Sequence, residues 1–402
     1  MSDNSNRIKP QFSGKRVKVP LGSLGKVVTG NTPSKKNERY WATEDVPFIK
    51  PGDIDESAVT YLADGTEYIA DCAIGKARCV GAGAVLVTCI GTIAKIAVVN
   101  CNCIAFNQQI NAIDVDRNVV DPQYLAYALK ANNTRLKMLA NAPVVPIINK
   151  RQFESFVLLI HSDLNVQREI VSQFTAIGSL RQKLDEELCH LDNLVKSRFI
   201  EMFGDALNSD NRWPEQTLGS MLDIARGGSP RPIKSYLTND SDGVNWIKIG
   251  DAVNGSRYIA NTAERIKLSG VKKSRLVHSG DFLLSNSMSF GRPYILKTDG
   301  CIHDGWLVLQ GVEEYFDSLF LYQLLASDDM LHKFRGLVRG GVVNNLNKDL
   351  VSTVSVMVPP ISMQRDFASL VRQVDKLRFR VQQQIEKLEM LKKSLMQEYF
   401  GQ

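Results

Sequence analysis

Two long stretches of the chain carry apolar side chains at heptad spacing. The first has Ile170, Phe174, Ile177, Leu184, Leu188, Leu191 and Val195, and the second has Phe367, Val371, Val374, Val381, Ile385, Leu388, Leu395 and Tyr399. A heptad pattern of this length is typical of coiled coils rather than of short core helices. A helix of about 36 residues would measure about 54 Å. We therefore predict helices at residues 164–204 and 361–402 that pack against each other as an antiparallel coiled coil.

One arginine interrupts each apolar stripe at an equivalent point. Arg181 in the first stretch and Arg378 in the second stand where the pattern would place an apolar side chain. A single polar residue in such a stripe can fix the register of two paired helices. We expect these arginines to set the alignment of the pair.

The rest of the chain alternates short apolar runs with turn-forming residues. Runs rich in β-branched side chains lie at 84–87, 94–99, 104–115, 281–284 and 306–309. They predict short strands, and the patterns at 122–130 and 318–327 predict short helices. The fold class expected from these patterns is α+β.

The same motifs occur twice along the chain, in the same order. Leu-Gly-Ser-Leu at residue 21 recurs as Leu-Gly-Ser-Met at residue 218, and Ile-Lys-Pro-Gly-Asp at residue 49 recurs as Ile-Lys-Ile-Gly-Asp at residue 247. Further matches are Asn-Lys at residues 149 and 347 and Phe-Gly at residues 203 and 400. A register of about 197 residues, kept along a whole copy, indicates a duplicated domain.

The repeat divides the chain into two similar halves. We predict an N-terminal extension at 1–16, a domain at 17–163, a helix at 164–204, a linker at 205–213, a second domain at 214–360 and a C-terminal helix at 361–402. Pairing of the helices would relate the halves by a pseudo-two-fold axis. The frame recurs while the central parts diverge, which suits a protein that makes one kind of contact with two targets. A duplication without functional asymmetry is the alternative.

Composition and charge narrow the class of protein. The 402 residues are 44% hydrophobic and carry a formal net charge of +6, but neither globular half is basic overall, so nucleic-acid binding would depend on local clusters.

The polar N-terminus and the lack of a long apolar run predict neither a signal peptide nor a membrane span, and we expect a cytoplasmic protein. Seven irregularly spaced cysteines do not form a disulfide framework, and we predict ordinary thiols and no metal site.

Several catalytic signatures are missing from the sequence. There is no Asp-x-Lys or Glu-x-Lys triplet of the common nuclease core, no Asn-Pro dipeptide and no P-loop. These absences favour a protein that is not itself a catalyst, although an unfamiliar enzyme class stays open.

The motifs that recur in both copies point to a known family. Copy one has Gly30-Asn31-Thr32-Pro33-Ser34, Tyr40-Trp41, Val46-Pro47-Phe48-Ile49-Lys50-Pro51-Gly52-Asp53, Ile90-Gly91-Thr92-Ile93 and Asn107-Gln108-Gln109-Ile110. Copy two has Gly227-Gly228-Ser229-Pro230-Arg231-Pro232, Val244-Asn245-Trp246-Ile247-Lys248-Ile249-Gly250-Asp251, Ser285-Asn286-Ser287-Met288-Ser289-Phe290-Gly291-Arg292-Pro293 and His303-Asp304-Gly305-Trp306. With these motifs in order and a long helix after each set, the chain resembles DNA specificity subunits of type I restriction-modification systems over nearly its full length.

The resemblance implies a division of labour between subunits. Two target-recognition domains would each read half of a split, asymmetric sequence in double-stranded DNA, and the helices would act as a ruler for the unread spacer. Two modification subunits would carry S-adenosylmethionine and methylate adenine, and restriction subunits would add an ATP-driven, Mg²⁺-dependent translocase-nuclease. This chain would need no cofactor of its own. Because copy two lacks the Asn-Gln-Gln run, the two domains need not place their reading residues in the same loops.

Candidate DNA contacts follow from side-chain chemistry. For phosphates we predict the clusters Lys35, Lys36 and Arg39 and Arg226, Arg231 and Lys234. For bases we predict Thr92, Lys95, Asn107, Gln108, Gln109, Asn286, Ser287, Ser289 and Arg292. The alternative for each polar residue is capping within a loop. The basic residues Lys272, Lys273 and Arg275 are more typical of solvated surface.

A second class of function is also compatible with the sequence. The chain could be a two-domain scaffold that binds protein partners through its helices and has no affinity for DNA. DNA binding that falls steeply with salt would separate the two hypotheses.

Overall fold

The computed structural model describes residues 15–140, 145–205, 212–253, 255–286, 291–338 and 345–401. The chain divides into two compact units, one of Met1–Leu184 with Gln383–Gln402 and one of Asp185–Gln382. Within the described parts of the chain, no helix is both long enough and apolar enough to cross a membrane.

The first unit contains eleven strands and three short helices. The strands are β1 (Arg16–Pro20), β2 (Gly25–Thr29), β3 (Val46–Ile49), β4 (Val59–Leu62), β5 (Tyr68–Ile69), β6 (Cys79–Val80), β7 (Val85–Thr88), β8 (Ile96–Val99), β9 (Ile104–Phe106), β10 (Ile110–Val115) and β11 (Val157–His161). The helices are α1 (Pro122–Ala131), α2 (Asn133–Met138) and α3 (Lys150–Ser155), and 3-10 turns lie at Leu21–Ser23, Glu38–Trp41, Pro51–Asp53 and Asp71–Ala73. The counts refer to the described residues.

Three sheets organise these strands. Their strand orders are β2-β10-β7-β8-β4, β5-β3-β9-β6 and β1-β11. The first sheet is antiparallel apart from the β4–β8 pair, and β3 and β9 are also parallel. Strands β7 and β8 are buried along their whole length, which explains why they appear in the sequence as continuous apolar runs rather than as alternating ones.

The second unit repeats this arrangement. Its strands are β12 (Glu215–Thr217), β13 (Asp223–Arg226), β14 (Leu237–Thr238), β15 (Val244–Ile247), β16 (Tyr258–Ile259), β17 (Glu264–Ile266), β18 (Arg275–Val277), β19 (Phe282–Ser285), β20 (Pro293–Leu296), β21 (Gly300–Ile302), β22 (Trp306–Gln310) and β23 (Ser355–Met357). Its helices are α5 (Leu218–Met221), α6 (Leu268–Val271), α7 (Ser318–Leu325), α8 (Asp328–Val338) and α9 (Lys348–Ser352), with 3-10 turns at Ile233–Ser235, Ile249–Asp251 and Val312–Glu314. The strand orders are β13-β22-β19-β20-β16, β14-β17-β15-β21-β18 and β12-β23.

Two helices of 40 residues each follow the strands. The long helix α4 (Leu164–Phe203) belongs to the first unit up to residue 184, and α10 (Ile361–Phe400) belongs to the second up to residue 382. At 1.5 Å per residue each is about 60 Å long. Most of the predicted packing positions are buried: Ile170, Phe174, Ile177, Leu184, Leu191, Phe367, Val374, Val381 and Ile385. Leu188, Leu388 and Leu395 are partly buried.

Within the first unit, the start of α4 packs on the end of α10. The Phe174 ring centroid lies 6.1 Å from that of Phe400 and 6.5 Å from that of Tyr399. Farther along α4, Arg181 Nε lies 3.6 Å from Glu389 Oε1. Residues later in α4 contact residues earlier in α10, so the two helices pair in antiparallel orientation.

Within the second unit, the end of α4 packs on the start of α10. Phe367 lies 5.5 Å from Phe199 and 5.8 Å from Phe203 between ring centroids. Arg378 forms an ion pair with Asp192. This pair is the repeat equivalent of the one at Arg181, so each stripe arginine reaches a carboxylate on the opposite helix, which supports the predicted role in register. The predictions of an α+β fold with two tandem domains and paired long helices are confirmed.

A buried glutamine ties the start of each long helix to a short one. Gln167 Oε1 accepts the backbone N–H of Asp121 at 2.8 Å, and Gln364 Oε1 accepts that of Asp317 at 2.9 Å. These aspartates cap α1 and α7. Both glutamine side chains are fully buried, so the position of each short helix is fixed by the long one.

Several recurring motifs have structural roles in both units. Lys50 pairs with Glu67, and Lys248 Nζ lies 2.7 Å from Glu264 Oε1. The aspartate that ends each Ile-Lys-x-Gly-Asp motif accepts the backbone N–H of the motif lysine. The repeated Asn-Lys pair places an asparagine at the N-cap of α3 and of α9. These residues define the shared frame of the two units.

Candidate nucleic-acid interface

A glycine turn starts the candidate interface in each unit. We call residues 30–33 turn 1 and residues 227–230 turn 2. A Cβ on Gly30 or on Gly227 would lie 2.1 or 2.2 Å from a backbone carbonyl oxygen of the facing loop. Only glycine permits so close an approach. The turn therefore packs backbone against backbone in both units.

The facing loops are also equivalent. Loop 1 (residues 107–109) joins β9 to β10, and loop 2 (residues 303–305) joins β21 to β22. The first N–H of loop 1 donates to the Ile49 carbonyl oxygen at 3.1 Å, and that of loop 2 donates to the Ile247 carbonyl oxygen at 3.1 Å. The two loops occupy the same place in the frame although their side chains differ, so the equivalence extends to the part of copy two that lacks the Asn-Gln-Gln run.

A hydroxyl group from each turn holds the middle residue of each loop. Thr32 Oγ1 donates to Gln108 Oε1 at 2.8 Å in the first unit. Ser229 Oγ donates to Asp304 Oδ1 at 2.6 Å in the second. An exposed amide in one unit thus corresponds to a half-exposed carboxylate in the other.

Three basic side chains lie close to Asp304. His303 Nε2 lies 2.9 Å from Asp304 Oδ1, and Arg231 Nη2 lies 3.5 Å from Asp304 Oδ2. Arg226 Nε donates to the Asp304 carbonyl oxygen at 3.1 Å. Burial alone would raise the pKa of Asp304, but the Ser229 hydrogen bond and the neighbouring His303 and Arg231 hold that pKa below its usual value. The residue is therefore an anion at neutral pH.

The cations predicted after turn 1 are on the surface. Lys35 Nζ lies 5.4 Å from the centroid of the Trp41 ring, a cation–π distance. Lys36 and Arg39 are exposed, and within the described ranges neither has a carboxylate partner. They are available to an anionic ligand.

The cations predicted near turn 2 are exposed as well. Arg226 and Arg231 lie beside Asp304, and Lys234 lies on the 3-10 turn Ile233–Ser235. Phosphate contact by these residues remains a prediction.

A Lys-x-Arg segment at residues 76–78, which is not among the predicted contacts, touches turn 1. Arg78 Nη1 donates to the Thr29 carbonyl oxygen at 2.5 Å, and its backbone N–H donates to Asn31 Oδ1 at 2.8 Å. Asn31 Nδ2 donates to the Lys76 carbonyl oxygen at 2.6 Å. Both cationic side chains are exposed.

The second unit has the same segment at the equivalent place. Arg275 Nε donates to the Arg226 carbonyl oxygen at 3.1 Å. Lys273 Nζ donates to the Tyr236 hydroxyl at 2.6 Å. Sequence analysis favoured ordinary solvated surface here, whereas the structure places Arg275 beside a predicted DNA contact. The recurrence of Lys-x-Arg at residues 76 and 273 is the sequence signal that marks this segment.

A hairpin supplies a further basic residue to each unit. Ala94 and Gly291 adopt left-handed backbone angles, with φ of 64° and 78°, between β7 and β8 and between β19 and β20. The next residue is Lys95 in one unit and Arg292 in the other. Lys95 Nζ donates to the Pro51 carbonyl oxygen at 2.8 Å, so this ammonium group is held against the frame. Arg292 is exposed.

Three of the predicted amide readers, Asn107, Gln109 and Asn286, form hydrogen bonds within loop 1 or to loop 2. Asn107, 7% exposed, donates to Gln109 Oε1 at 2.9 Å, and Asn286, 2% exposed, donates to the Asp304 carbonyl oxygen at 2.9 Å. These contacts favour a role in holding the loops. Thr92 is exposed. The predicted base contacts Ser287 and Ser289 lie outside the described residues.

Fold and site together define a duplicated α+β recognition protein, in which one frame presents different polar groups among surface cations. A family model described as "Type I restriction modification DNA specificity domain" matches residues 15–189 and 211–390, so the chain belongs to this family of specificity subunits. The chain is 22% identical to the type I restriction enzyme MjaIX specificity subunit of Methanocaldococcus jannaschii, over 97% of this chain and 93% of that one.

Solved structures share the fold. The S subunit of a type I restriction-modification system from M. genitalium aligns over 98% of both chains, with a TM-score of 0.57 and 13% identity. A chain from a structural study of complex assembly and conformational transition in the type I system aligns over 97% of this chain and 98% of that chain, with a TM-score of 0.66 and 18% identity.

Proposed function

We propose that this chain reads a bipartite, asymmetric DNA target and directs partner subunits to it. One observation carries the proposal: loops 1 and 2 hold the same place in two equivalent frames but present an amide in one and a carboxylate in the other. A shared frame with different polar groups suits two half-sites of different sequence. Membership in the specificity-subunit family supports the same conclusion.

The charges near the turns support contact with a nucleic-acid backbone. Each turn has cations on two sides, namely those that follow it in sequence and those of the Lys-x-Arg segment. Phosphate contacts position a protein on DNA, whereas side chains on loops distinguish base edges in the grooves. Each unit has both kinds of group close together.

The outer surfaces of the long helices support docking of partners. Leu180 and Leu194 on α4 are 47% and 48% exposed, and the equivalent Leu377 and Leu391 on α10 are 44% and 38% exposed. The first unit thus has Leu180 and Leu391 exposed, and the second has Leu377 and Leu194 at the equivalent positions, which suits two copies of one partner. We propose that these partners are modification subunits that methylate adenine, with restriction subunits as possible additional members of the complex.

The chemistry would reside in the partners. The sequence lacks the nuclease, adenine-methyltransferase and P-loop signatures, so we propose that S-adenosylmethionine, ATP and Mg²⁺ bind to partner subunits and that this chain is not a catalyst. We propose a cytoplasmic location for the complex. A scaffold without DNA binding is not supported by the family relationship.

A map of base modification in the host genome, with and without this gene, tests the proposal. We expect one split, asymmetric, adenine-methylated sequence to disappear on deletion and to return with the intact gene. An unchanged map, from cells in which the partner methyltransferase is produced and active, would contradict the proposal.

A further inference from the structure

We infer that Gln108 and Asp304 are specificity-determining residues, with Gln108 reading an A·T pair in one half-site and Asp304, together with Arg231, reading a G·C pair in the other. The inference rests on the proposed function and deepens it. It concerns the middle residue of each loop, where the two copies differ in chemistry while the frame around them is the same.

The equivalence of the two positions is geometric. Each follows a loop residue whose N–H donates to the last carbonyl of a neighbouring strand, β3 or β15, at 3.1 Å. Each also accepts a hydrogen bond from the hydroxyl of the facing turn. The glycine of that turn packs against the loop backbone in both units. The two loops therefore have equivalent backbone positions. The central side chain is Gln108 in the first unit and Asp304 in the second.

Gln108 retains the groups that adenine requires. Its side chain is exposed, and its carbonyl oxygen accepts one hydrogen bond, from Thr32. One lone pair on Oε1 and both N–H groups on Nε2 remain for a ligand. An amide with a free acceptor and a free donor matches N6 and N7 of adenine in the major groove.

The Asp304 carboxylate can only accept hydrogen bonds, but a donor, the Arg231 guanidinium, lies next to it. Oδ1 is occupied by Ser229 and His303, while Oδ2 faces Arg231 at 3.5 Å. The Arg231 side chain is 78% exposed, so most of its N–H groups point to solvent. A guanidinium fork matches O6 and N7 of guanine, and a carboxylate accepts from N4 of cytosine, so the pair presents complementary groups to one G·C pair.

A carboxylate next to these arginines also lowers the affinity for non-specific DNA. Asp304 repels phosphate and weakens the positive field of Arg226 and Arg231, which a surface made only for backbone contact would avoid. The presence of a carboxylate at this place, despite that repulsion, is consistent with a residue that reads a base. The corresponding place in the first unit is neutral, as expected if the two loops read different base pairs.

Methylation by the assembled complex tests the inference. The full chain would be produced with its methyltransferase partner, and the methylated sequences in a random DNA library would be read for wild type, Gln108→Glu, Asp304→Asn and Arg231→Lys. Asp240→Asn, which removes an exposed carboxylate elsewhere in the second unit, is the matched control. Arg231 lies at the surface, so its substitution should not affect folding even if that of Asp304 does.

We expect Asp304→Asn and Arg231→Lys to relax the same single G·C position in one half-site, by about ten- to hundredfold in discrimination, and to leave the other half-site unchanged. Gln108→Glu should relax one A·T position in the opposite half-site only. Unchanged sequences in the variants, or equal loss at both half-sites, overturn this inference alone. A wild-type complex that methylates no split sequence overturns the proposed function as well.

Discussion

Arg78 and Arg275 provide a test of how the two units hold DNA. Each guanidinium donates one N–H to a backbone carbonyl and has no carboxylate partner among the residues described, so each can neutralise one phosphate. Substitution by glutamine keeps a hydrogen-bonding side chain and removes the charge. The double variant Arg78→Gln/Arg275→Gln therefore removes two charges from the DNA contact.

Counterion release gives the expected magnitude. Each phosphate contact contributes about 0.9 to the slope of log K against log salt concentration, so the double variant should have a slope smaller by about 1.8. Between 50 and 200 mM salt the wild-type affinity should then fall about twelvefold more than that of the variant. The sequence that is read should stay the same, because phosphate contacts carry no base information.

Fluorescence anisotropy of a labelled duplex, titrated with the assembled complex at several salt concentrations, measures the slope. Lys137→Gln is the control, because Glu56 already neutralises that lysine at 3.0 Å. An unchanged slope in the double variant would refute the assignment of phosphate contacts to the Lys-x-Arg segments. A variant that reads a different sequence would show that the arginines contact bases instead.

Three further outcomes are expected. Phe367→Ala should lower stability by about 3–5 kcal/mol, whereas Phe379→Ala on the same helix, at a side chain 64% exposed, should change it by less than about 0.5 kcal/mol, and urea unfolding of the isolated chain compares them. Gln364→Leu removes the partner of one part-buried N–H, one part-buried carbonyl and one buried carbonyl, and should cost about 3 kcal/mol in the same assay. Burial raises the pKa of Cys89 to about 12, so iodoacetamide at pH 8 should modify the exposed Cys72 and leave Cys89 intact until the chain unfolds, as peptide mass mapping would show.

The long helices were the part of the fold most open to prediction. A heptad pattern repeats often enough to exclude chance, and only a partner helix can cover it. The strands at 84–87 and 306–309 were also predicted within a residue of β7 and β22, because an apolar run between turn residues has few other structures. The sheet orders could not be predicted, because strands as short as β5 and β16 leave almost no pattern.

The candidate site was predicted less completely. The recurrent Ile-Lys-x-Gly-Asp motif proved to be part of the frame, since its lysine pairs with Glu67 in one unit and Glu264 in the other. The equivalence of loops 1 and 2 was hidden because their side chains share no chemistry. It is visible in the backbone hydrogen bonds, the close glycine contact and the hydroxyl contact that the two units share.

The way in which the loops are held has an evolutionary consequence. Loops 1 and 2 are held by backbone hydrogen bonds, a close glycine contact and flanking asparagine side chains. The central side chain of each loop adds a hydroxyl contact with the facing turn and, at Asp304, contacts with His303 and Arg231. If the central residues read bases as we infer, a mutation there would change the sequence that is read while the backbone contacts that hold the loop remain. The two copies in one chain carry a glutamine and an aspartate at this position in the same frame. The sequence read by each unit would then diverge without a change in the residues that keep the chain folded.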